Sequence, residues 1–146
     1  MRRTILRHLG GLAVLAAAAV GCGGKPGIPL GEVEGVVTLD DKPLDTVVVH
    51  FLPDLTKGAK GPQSSAVTDA NGRYRLKCAD SRDGAAIGWH KVLVEDPGEG
   101  NYDPNAAVLP ATVRISHVYK LPTTSPLAFE VKEGKQTIDI QVTKPR

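Results

Sequence analysis

The residues that could hold a metal ion are the first side chains to consider for chemistry. Beyond the first twenty residues the chain has three histidines, His50, His90 and His117. No two of them have the His-x-His or His-Glu-x-x-His spacing that presents two imidazoles to one ion. Blue copper requires cysteine and histidine, usually with an axial methionine, and the only methionine is Met1. A zinc or copper ion held across strands is the arrangement left open, and we expect neither a metal nor a cofactor.

The acidic residues do not form a catalytic pattern either. Residues 69–72, Asp-Ala-Asn-Gly, begin like a calcium-binding loop, but Arg73 and Tyr74 follow where further oxygen ligands are required. The pairs Asp40/Asp41 and Glu95/Asp96 are adjacent in sequence at strand ends, which predicts solvated turns rather than two opposed carboxylates. No Gly-x-Ser-x-Gly elbow is present. We therefore expect that the protein is not an enzyme.

The first twenty residues have the pattern of a bacterial export signal. Arg2, Arg3 and Arg7 give a positive start, and residues 9–20 are an uncharged run of the length of a signal-peptide apolar region. A membrane-spanning helix needs about 20 apolar residues, and glycines follow this run almost directly. The pattern predicts a signal peptide over residues 1–21 rather than a permanent transmembrane helix.

Cys22 follows the signal directly and is the predicted lipidation site. The order Ala19-Val20-Gly21-Cys22 resembles the lipobox of bacterial lipoproteins, in which the cysteine receives a diacylglyceryl group before cleavage. It departs from that pattern at Ala19, where leucine is usual, and an ordinary signal peptide with an incidental cysteine is the alternative. Because two or more acyl chains anchor a protein stably, the resemblance implies a membrane-anchored lipoprotein of the cell envelope, facing the periplasm or the surface. Residues 22–31, rich in Gly and Pro, are then a flexible tether.

Charge and cysteine content exclude further classes of function. The whole chain has 18 Lys+Arg and 16 Asp+Glu, and without the three arginines of the signal the remainder has 15 basic and 16 acidic residues. The chain beyond the signal has no basic stripe and few aromatic residues, so we expect no nucleic-acid partner. Cys78 is the one thiol left after lipidation, which excludes an internal disulfide and predicts a small apolar residue at a strand end.

Short alternating segments separated by turn residues predict an all-β fold. Val33, Gly35 and Val37 share one predicted strand face, and the turn at 69–72 carries Asn-Gly, a strong hairpin signal. No segment has an apolar period of 3.6 residues. The predicted strands are 32–39, 46–52, 64–68, 73–77, 88–95, 129–131 and 137–142. About seven short strands indicate a small Greek-key-type β-sandwich over residues 32–143.

Several of these segments, in order, resemble a known family. Residues 35–44, Gly-Val-Val-Thr-Leu-Asp-Asp-Lys-Pro-Leu, are similar to the opening of carboxypeptidase regulatory-like domains, which are transthyretin-like (prealbumin-like) sandwiches. Residues 47–53 and 68–74 fit the same pattern, and 124–131 resembles the closing segment of small lipoproteins of this type from planctomycete bacteria. The resemblance implies a non-catalytic module of surface proteins. The chain departs from the family at Asp41, where glycine is usual, and at His90, where an inward tyrosine is usual and a buried imidazole would need a hydrogen-bond partner.

The least regular part of the chain, residues 97–126, contains five prolines. A long excursion on a small sandwich is a common place for recognition, although a proline-stiffened crossover between strands is the favoured explanation. Trp89, Tyr102 and Tyr119 are the candidate binding surface. We expect a lipid-anchored module that binds an envelope protein or organises envelope material. A carrier of small ligands or polysaccharide is the alternative, and an exposed aromatic cluster beside a pocket would favour it.

Overall fold

The computed structural model describes residues 27–99 and 113–145. In these residues the chain forms a β-sandwich, as predicted, with eleven short strands in place of about seven. Some predicted strands are divided: 73–77 and 137–142 each form two strands that pair separately. The strands are β1 (Leu30–Leu39), β2 (Lys42–Pro43), β3 (Val48–Pro53), β4 (Ser64–Val67), β5 (Arg73–Arg75), β6 (Lys77–Cys78), β7 (Ala85–Ala86), β8 (Gly88–Glu95), β9 (Ala128–Val131), β10 (Lys135–Thr137) and β11 (Ile140–Val142).

Strand β1 organises the first sheet. Along one edge it pairs in parallel with β10 and then with β11, and along the other edge it pairs antiparallel with β7, β5 and β2. The second sheet is antiparallel, in the order β6-β4-β3-β8-β9. Three short 3-10 helices, Leu55–Lys57, Pro97–Glu99 and His117–Lys120, lie in the connections. None of the helices in the described ranges is long and apolar enough to cross a membrane.

The predicted inward faces are confirmed. Val33 and Val37 of β1 are buried, as are Val49 and Phe51 of β3 and their neighbours on β8. Alternation along a half-buried strand places every second side chain in the core, and the two sheets bury these faces against each other. Cys78 is buried at the end of β6, as predicted for a small apolar residue at a strand end. The core contains Val33, Val37, Leu44, Val47, Val49, Phe51, Tyr74, Leu76, Ala85, Val92, Val94, Ile115, Tyr119, Val131, Ile138, Ile140 and Val142.

The backbone of Ile138 approaches β1 closely at Gly35. Between β10 and β11 the chain bulges, and a Cβ on Gly35 would lie 1.9 Å from the Ile138 carbonyl oxygen. The Tyr74 hydroxyl donates a 2.6 Å hydrogen bond to that carbonyl. The Asp139 carboxylate accepts the Val36 N–H, at 2.9 Å, between the part of β1 that pairs with β10 and the part that pairs with β11. Glycine is therefore required at 35 because any side chain would collide with backbone.

The turn at 69–72 is present, but it is not a hairpin within one sheet. Strand β4 pairs with β3 and β6 in the second sheet, whereas β5 pairs with β1 in the first, so the turn is a corner between the sheets. Gly72 has the positive φ that the sequence predicted, at 69°. The Asp69 carboxylate accepts the N–H groups of Asn71 and Arg73, at 2.8 and 2.9 Å. That carboxylate is already used to hold the turn, which explains these residues without calcium.

The tight turn between β1 and β2 explains how the chain tolerates Asp41. Asp40 and Asp41 both have positive φ, 49° and 64°, as a two-residue type I′ hairpin turn requires. Asp and Asn adopt this conformation more readily than other non-glycine residues. Both are exposed, as predicted, and their carboxylates accept from Lys144 and Gln141.

The other acidic pair differs from the prediction at Asp96, which is only 4% exposed. Its carboxylate accepts two hydrogen bonds from Arg114, at 2.6 and 3.0 Å, and one from the Gly98 N–H. These bonds hold the pKa of Asp96 below its usual range, against the opposing effect of burial. Arg114 also donates to the Asp45 carbonyl. The ion pair ties residue 114 to the end of β8, so Asp96 is a structural anchor and not part of a solvated turn.

Replacing Gly35 with alanine should destabilise the sandwich strongly, because the new methyl group would overlap the Ile138 carbonyl. We expect a loss of about 3 kcal/mol or more in the free energy of unfolding, measured by urea denaturation. Gly58→Ala is the matched control, since Gly58 has a positive φ of 75° but open space around it. It should cost only about 1 kcal/mol. Equal losses in the two variants would contradict the steric explanation.

Arg114→Met should cost about 2–3 kcal/mol at neutral pH, because it leaves the buried Asp96 carboxylate without its charged partner. The folded-state pKa of Asp96 is lowered, so the stabilisation is present above the unfolded-state pKa of about 4 and is lost as the pH falls through the folded-state pKa. The difference between wild type and variant should therefore shrink below about pH 4. Lys77→Met breaks the exposed Lys77–Asp83 pair and should change stability by less than about 0.5 kcal/mol.

Candidate functional site

An open groove of about 660 Å³ lies on the outer face of the first sheet. Its floor consists of β1 and β5, and its walls are the corner after β4 and the bulge between β10 and β11. Strand register places the side chains in two rows across the floor, because Glu34 pairs with Arg75 and Val36 pairs with Arg73. The groove is lined by Glu34, Gly35, Val36, Val67, Asp69, Arg73, Tyr74, Arg75, Thr137 and Asp139.

One row of the floor is an ion-pair network centred on Glu34. Its carboxylate lies 2.9 Å from the Arg75 guanidinium and 3.4 Å from the Lys135 ammonium. Partial burial raises the pKa of Glu34, but the hydrogen bonds and attraction from Lys135 and Arg75 outweigh it and lower the pKa overall. Glu34 is therefore ionised at neutral pH and is suited to a fixed negative contact rather than to donating a proton.

The remaining titratable groups at the back of the groove have structural partners. Asp139 accepts the Val36 N–H, and the Tyr74 hydroxyl donates to Ile138. Burial raises the pKa of Tyr74, and the nearby charge of Asp139 raises it further. Tyr74 thus stays protonated across the physiological range. Its hydroxyl is committed to holding the bulge that forms the groove wall.

Arg73 is the charged side chain of the groove that is best placed to contact a binding partner. It lies on the exposed face of β5, and its guanidinium has no ion-pair or hydrogen-bond partner within residues 27–99 and 113–145. An arginine presents five donors in a planar fork that suits carboxylates and backbone carbonyls. Together with the acidic residues Glu34 and Asp139, it makes the groove a polar surface of mixed charge.

Of the candidate aromatic surface, the structure describes Trp89 and Tyr119, which differ in exposure. Trp89, on β8, is 36% exposed, and the Lys57 ammonium lies 3.6 Å from the centre of its ring. Tyr119 is only 6% exposed and belongs to the core, with its hydroxyl 3.3 Å from the Thr143 hydroxyl. Tyr119 is therefore not an exposed stacking residue, because a 3-10 helix turns its ring inward. Tyr102 lies outside the described residues, as does the lipidation site Cys22.

The histidines are separate from one another. His50 faces outward from β3, as predicted, and its Nε2 lies 3.6 Å from the Glu95 carboxylate. His117 is exposed in a 3-10 helix. Where the structure describes the chain, no three His, Cys, Asp or Glu side chains are arranged to hold a metal ion.

His90 is fully buried on the inner face of β8, where the sequence predicted a polar ring in need of a partner. Its Nδ1 lies 3.0 Å from the Gly88 carbonyl oxygen, which can only accept, so Nδ1 carries the hydrogen. The Nε2 atom has no hydrogen-bond partner among the described residues. Burial lowers the pKa of His90, and the Gly88 carbonyl opposes this in part. The ring is thus a neutral core residue, packed 5.8 Å from the Phe51 ring.

Sequence reasoning did not identify the groove. Alternation predicts which side chains of β1 and β5 face outward. It does not predict that these two distant strands pair with each other. A signal was nevertheless present, because charged residues alternate with apolar ones at Arg73-Tyr74-Arg75 and at Glu34. Such alternation predicts an exposed charged face without predicting which strand lies beside it.

Comparison with known proteins gives one structural likeness. No family model matches the sequence, and no curated protein matches it. The fold is similar to the crystal structure of a DUF3823 family protein from Parabacteroides merdae, with a TM-score of 0.44 and 16% sequence identity. The match covers 80% of this chain and 47% of that one, so this chain spans about half the length of the protein it resembles. The resemblance to carboxypeptidase regulatory-like domains stays a prediction.

His90→Phe should remove part of the acid sensitivity of the fold. Because the folded-state pKa of His90 is lowered, the unfolded state takes up a proton that the folded state does not, and stability should fall as the pH drops below about 6.5. We expect a flatter curve of unfolding free energy between pH 7 and 5 for the variant. Parallel curves for wild type and His90→Phe would contradict this account.

Proposed function

We propose that this chain is a lipid-anchored, non-catalytic β-sandwich module of the cell envelope that binds a protein partner through its groove. The observation that carries the proposal is the groove itself, a mixed-charge surface on a β-sheet with Arg73 at its floor, whose guanidinium has no ion-pair or hydrogen-bond partner among the described residues. Sites built on strands hold their side chains in a fixed geometry, which suits recognition of a polar surface.

The chemistry of the groove supports a polypeptide partner. Positive and negative side chains alternate over short distances in the groove. The surface of a protein partner likewise carries charges of both signs close together. Tyr74 is its one aromatic residue, and the Tyr74 side chain is buried and committed to Ile138. A sugar-binding groove usually offers an exposed aromatic face for stacking, and none of the described residues provides one here.

The electrostatics support binding rather than catalysis. A general acid needs a pKa raised toward neutrality, whereas the pKa of Glu34 is lowered and its charge is neutralised by two cations. Tyr74 and Asp139 are engaged with backbone groups. The resemblance to carboxypeptidase regulatory-like domains, which implies a non-catalytic accessory module, agrees with this interpretation.

The envelope location rests on the sequence. The signal pattern over 1–21 and Cys22 directly after it support export and lipidation. Strand β1 begins at Leu30, so two residues of the proposed tether 22–31 belong to the sheet. An anchor this close to the sandwich would hold the groove near the membrane and raise its effective concentration toward membrane-bound partners.

A carrier of small ligands or polysaccharide is the second candidate. Trp89 is the observation that favours it, because a partly exposed tryptophan can stack on a sugar ring. The Lys57 ammonium over one ring face would have to be displaced or share the ligand. Trp89 also lies away from the groove, so the described residues do not combine it with a cavity.

Cross-linking in intact cells tests the proposal. The wild-type protein should recover a reproducible envelope protein, and Arg73→Glu should reduce that recovery at least about tenfold, because placing a like charge in a contact costs several kcal/mol. Lys42→Glu, at an exposed β2 position outside the groove, is the matched control and should recover as much as wild type. Equal recovery by wild type and Arg73→Glu would contradict the groove as the binding site.

The anchor is tested separately with Cys22→Ala. We expect this variant to leave the membrane fraction and to lose incorporation of a labelled fatty acid. Membrane retention equal to that of wild type would show that the lipid anchor is wrong, whatever the groove binds.

A further inference from the structure

Exposed apolar and basic side chains gather at the end of the sandwich where β1 begins. We call this surface the entry patch and define it by Ile28, Leu55, Lys57, Lys60 and Trp89. Leu55 is 76% exposed, more than any other large hydrophobic side chain of the described residues, and Ile28 and Trp89 are also exposed. Both lysines are exposed. A single exposed leucine needs no explanation, but a tryptophan, a leucine, an isoleucine and two lysines on one surface do.

Contacts show that the entry patch is continuous. The Lys57 ammonium lies over the Trp89 ring, and the 3-10 helix Leu55–Lys57 is fixed to β8 by the Asp54 N–H, which donates to the Trp89 carbonyl. On the other side, Ile28 packs over Gly61, with two side-chain carbons 3.6 Å from the position of a Cβ there. The loop 54–61 thus joins Ile28 to Trp89.

The amino-terminal segment is fixed to the sandwich before β1 starts. The Arg82 guanidinium donates a 3.0 Å hydrogen bond to the Ile28 carbonyl, and the Ile87 N–H donates to the Pro29 carbonyl. Gly27 lies against the same guanidinium. The direction in which the chain leaves the sandwich is therefore set by contacts of residues 27–29, beside the entry patch.

Covalent geometry limits how far the entry patch can lie from a lipid on Cys22. Five peptide steps separate Cys22 from Gly27, and a fully extended chain spans at most about 3.6 Å per residue, hence about 18 Å in all. The polar headgroup region of a bilayer is itself several ångströms thick. A lipid-anchored chain must consequently hold this end of the sandwich at the membrane surface.

The residue types of the entry patch fit that surface. Tryptophan is enriched at the boundary between headgroups and acyl chains, and lysine places an apolar stem in the boundary with its ammonium at the phosphates. Three acidic residues lie nearby. Asp54 is buried, and its carboxylate caps the 3-10 helix by accepting from Thr56. Glu130 lies opposite Trp89 on β9, and Asp80 is paired with Arg82. Lys91 and Lys132 add positive charge near Glu130 on the same side of the second sheet.

We propose that the entry patch docks on anionic phospholipid headgroups of the leaflet that holds the lipid on Cys22. The inference rests on the proposed lipid anchor, and it adds that the sandwich lies against the membrane with a fixed end rather than turning freely on its tether. Trp89 and Leu55 enter the headgroup boundary, and Lys57 and Lys60 contact phosphates.

The experiment uses the chain from residue 22 onward, coupled through the Cys22 thiol to maleimide lipids in vesicles. Cys78 is buried, so the coupling selects Cys22. Chemical attachment makes the test independent of lipidation in cells, so failure of docking and failure of the anchor are distinguished. Trp89 is the only tryptophan in the chain, so its fluorescence reports on the entry patch alone.

In vesicles that contain phosphatidylglycerol, Trp89 emission should move to shorter wavelength and be quenched by lipids with brominated acyl chains. Leu55→Ser and Lys60→Glu should each lose most of the quenching. The matched controls, Val118→Ser and Lys42→Glu, change an exposed valine and an exposed lysine toward the other end of β1, outside the groove, and should behave as wild type. Circular dichroism should show all four variants folded, since every substituted residue is exposed.

Absence of any shift or quenching in the coupled wild-type protein would overturn the proposal. So would quenching that Leu55→Ser and Lys60→Glu leave unchanged, because Trp89 would then approach the lipid for a reason other than the entry patch. Equal quenching in vesicles of phosphatidylcholine alone would contradict the role of anionic headgroups. A wavelength shift produced only by an added envelope protein would assign the entry patch to that protein instead.

Discussion

The absence of a side chain at Gly35 is the constraint on which the first sheet depends. It allows the Ile138 carbonyl to pass directly over β1, where the Tyr74 hydroxyl completes its hydrogen bonding. One residue from each of three distant segments meets at this point. A carbonyl buried without a donor would cost about 1–3 kcal/mol, so the tyrosine is as necessary to the arrangement as the glycine. The first sheet therefore keeps β10 and β11 on the same edge of β1 despite the bulge between them.

The groove is a consequence of the same bulge. Between the end of β10 and the start of β11, the Val36 N–H of β1 would be left without a backbone acceptor. The Asp139 carboxylate accepts this N–H instead. The bulge raises Thr137 and Asp139 into a wall, and the corner at Asp69 forms the facing wall. A feature that satisfies backbone hydrogen bonding thus also creates the concave surface. Bulges commonly redirect side chains in this way beside binding sites.

Local patterns predicted the fold class and the inward faces, because alternation depends only on which side of a strand is buried. The faces of Val33 and Val37, and of Val49 and Phe51, were correct for this reason. Pairing between distant strands was not predictable. The Asn-Gly turn at 71–72 gave the correct backbone conformation but not the sheet on each side of it, since a turn with positive φ serves a corner as well as a hairpin. The burial of Asp96 and Tyr119 depended on Arg114 and Thr143, whose proximity no local pattern encodes.

The parallel pairing of β1 with β10 and β11 also determines when the first sheet can be completed during synthesis. Strand β1 is made first and its parallel partners last, about a hundred residues later, as the hydrogen bond between Val36 and Asp139 shows by its sequence separation of 103. Synthesis at roughly 5–20 residues per second leaves that edge of β1 without its partners for several seconds or more. During that interval an apolar strand with free backbone groups can pair with other chains. That edge of β1 is therefore the part of the described fold that stays open to mispairing until β10 and β11 have been made.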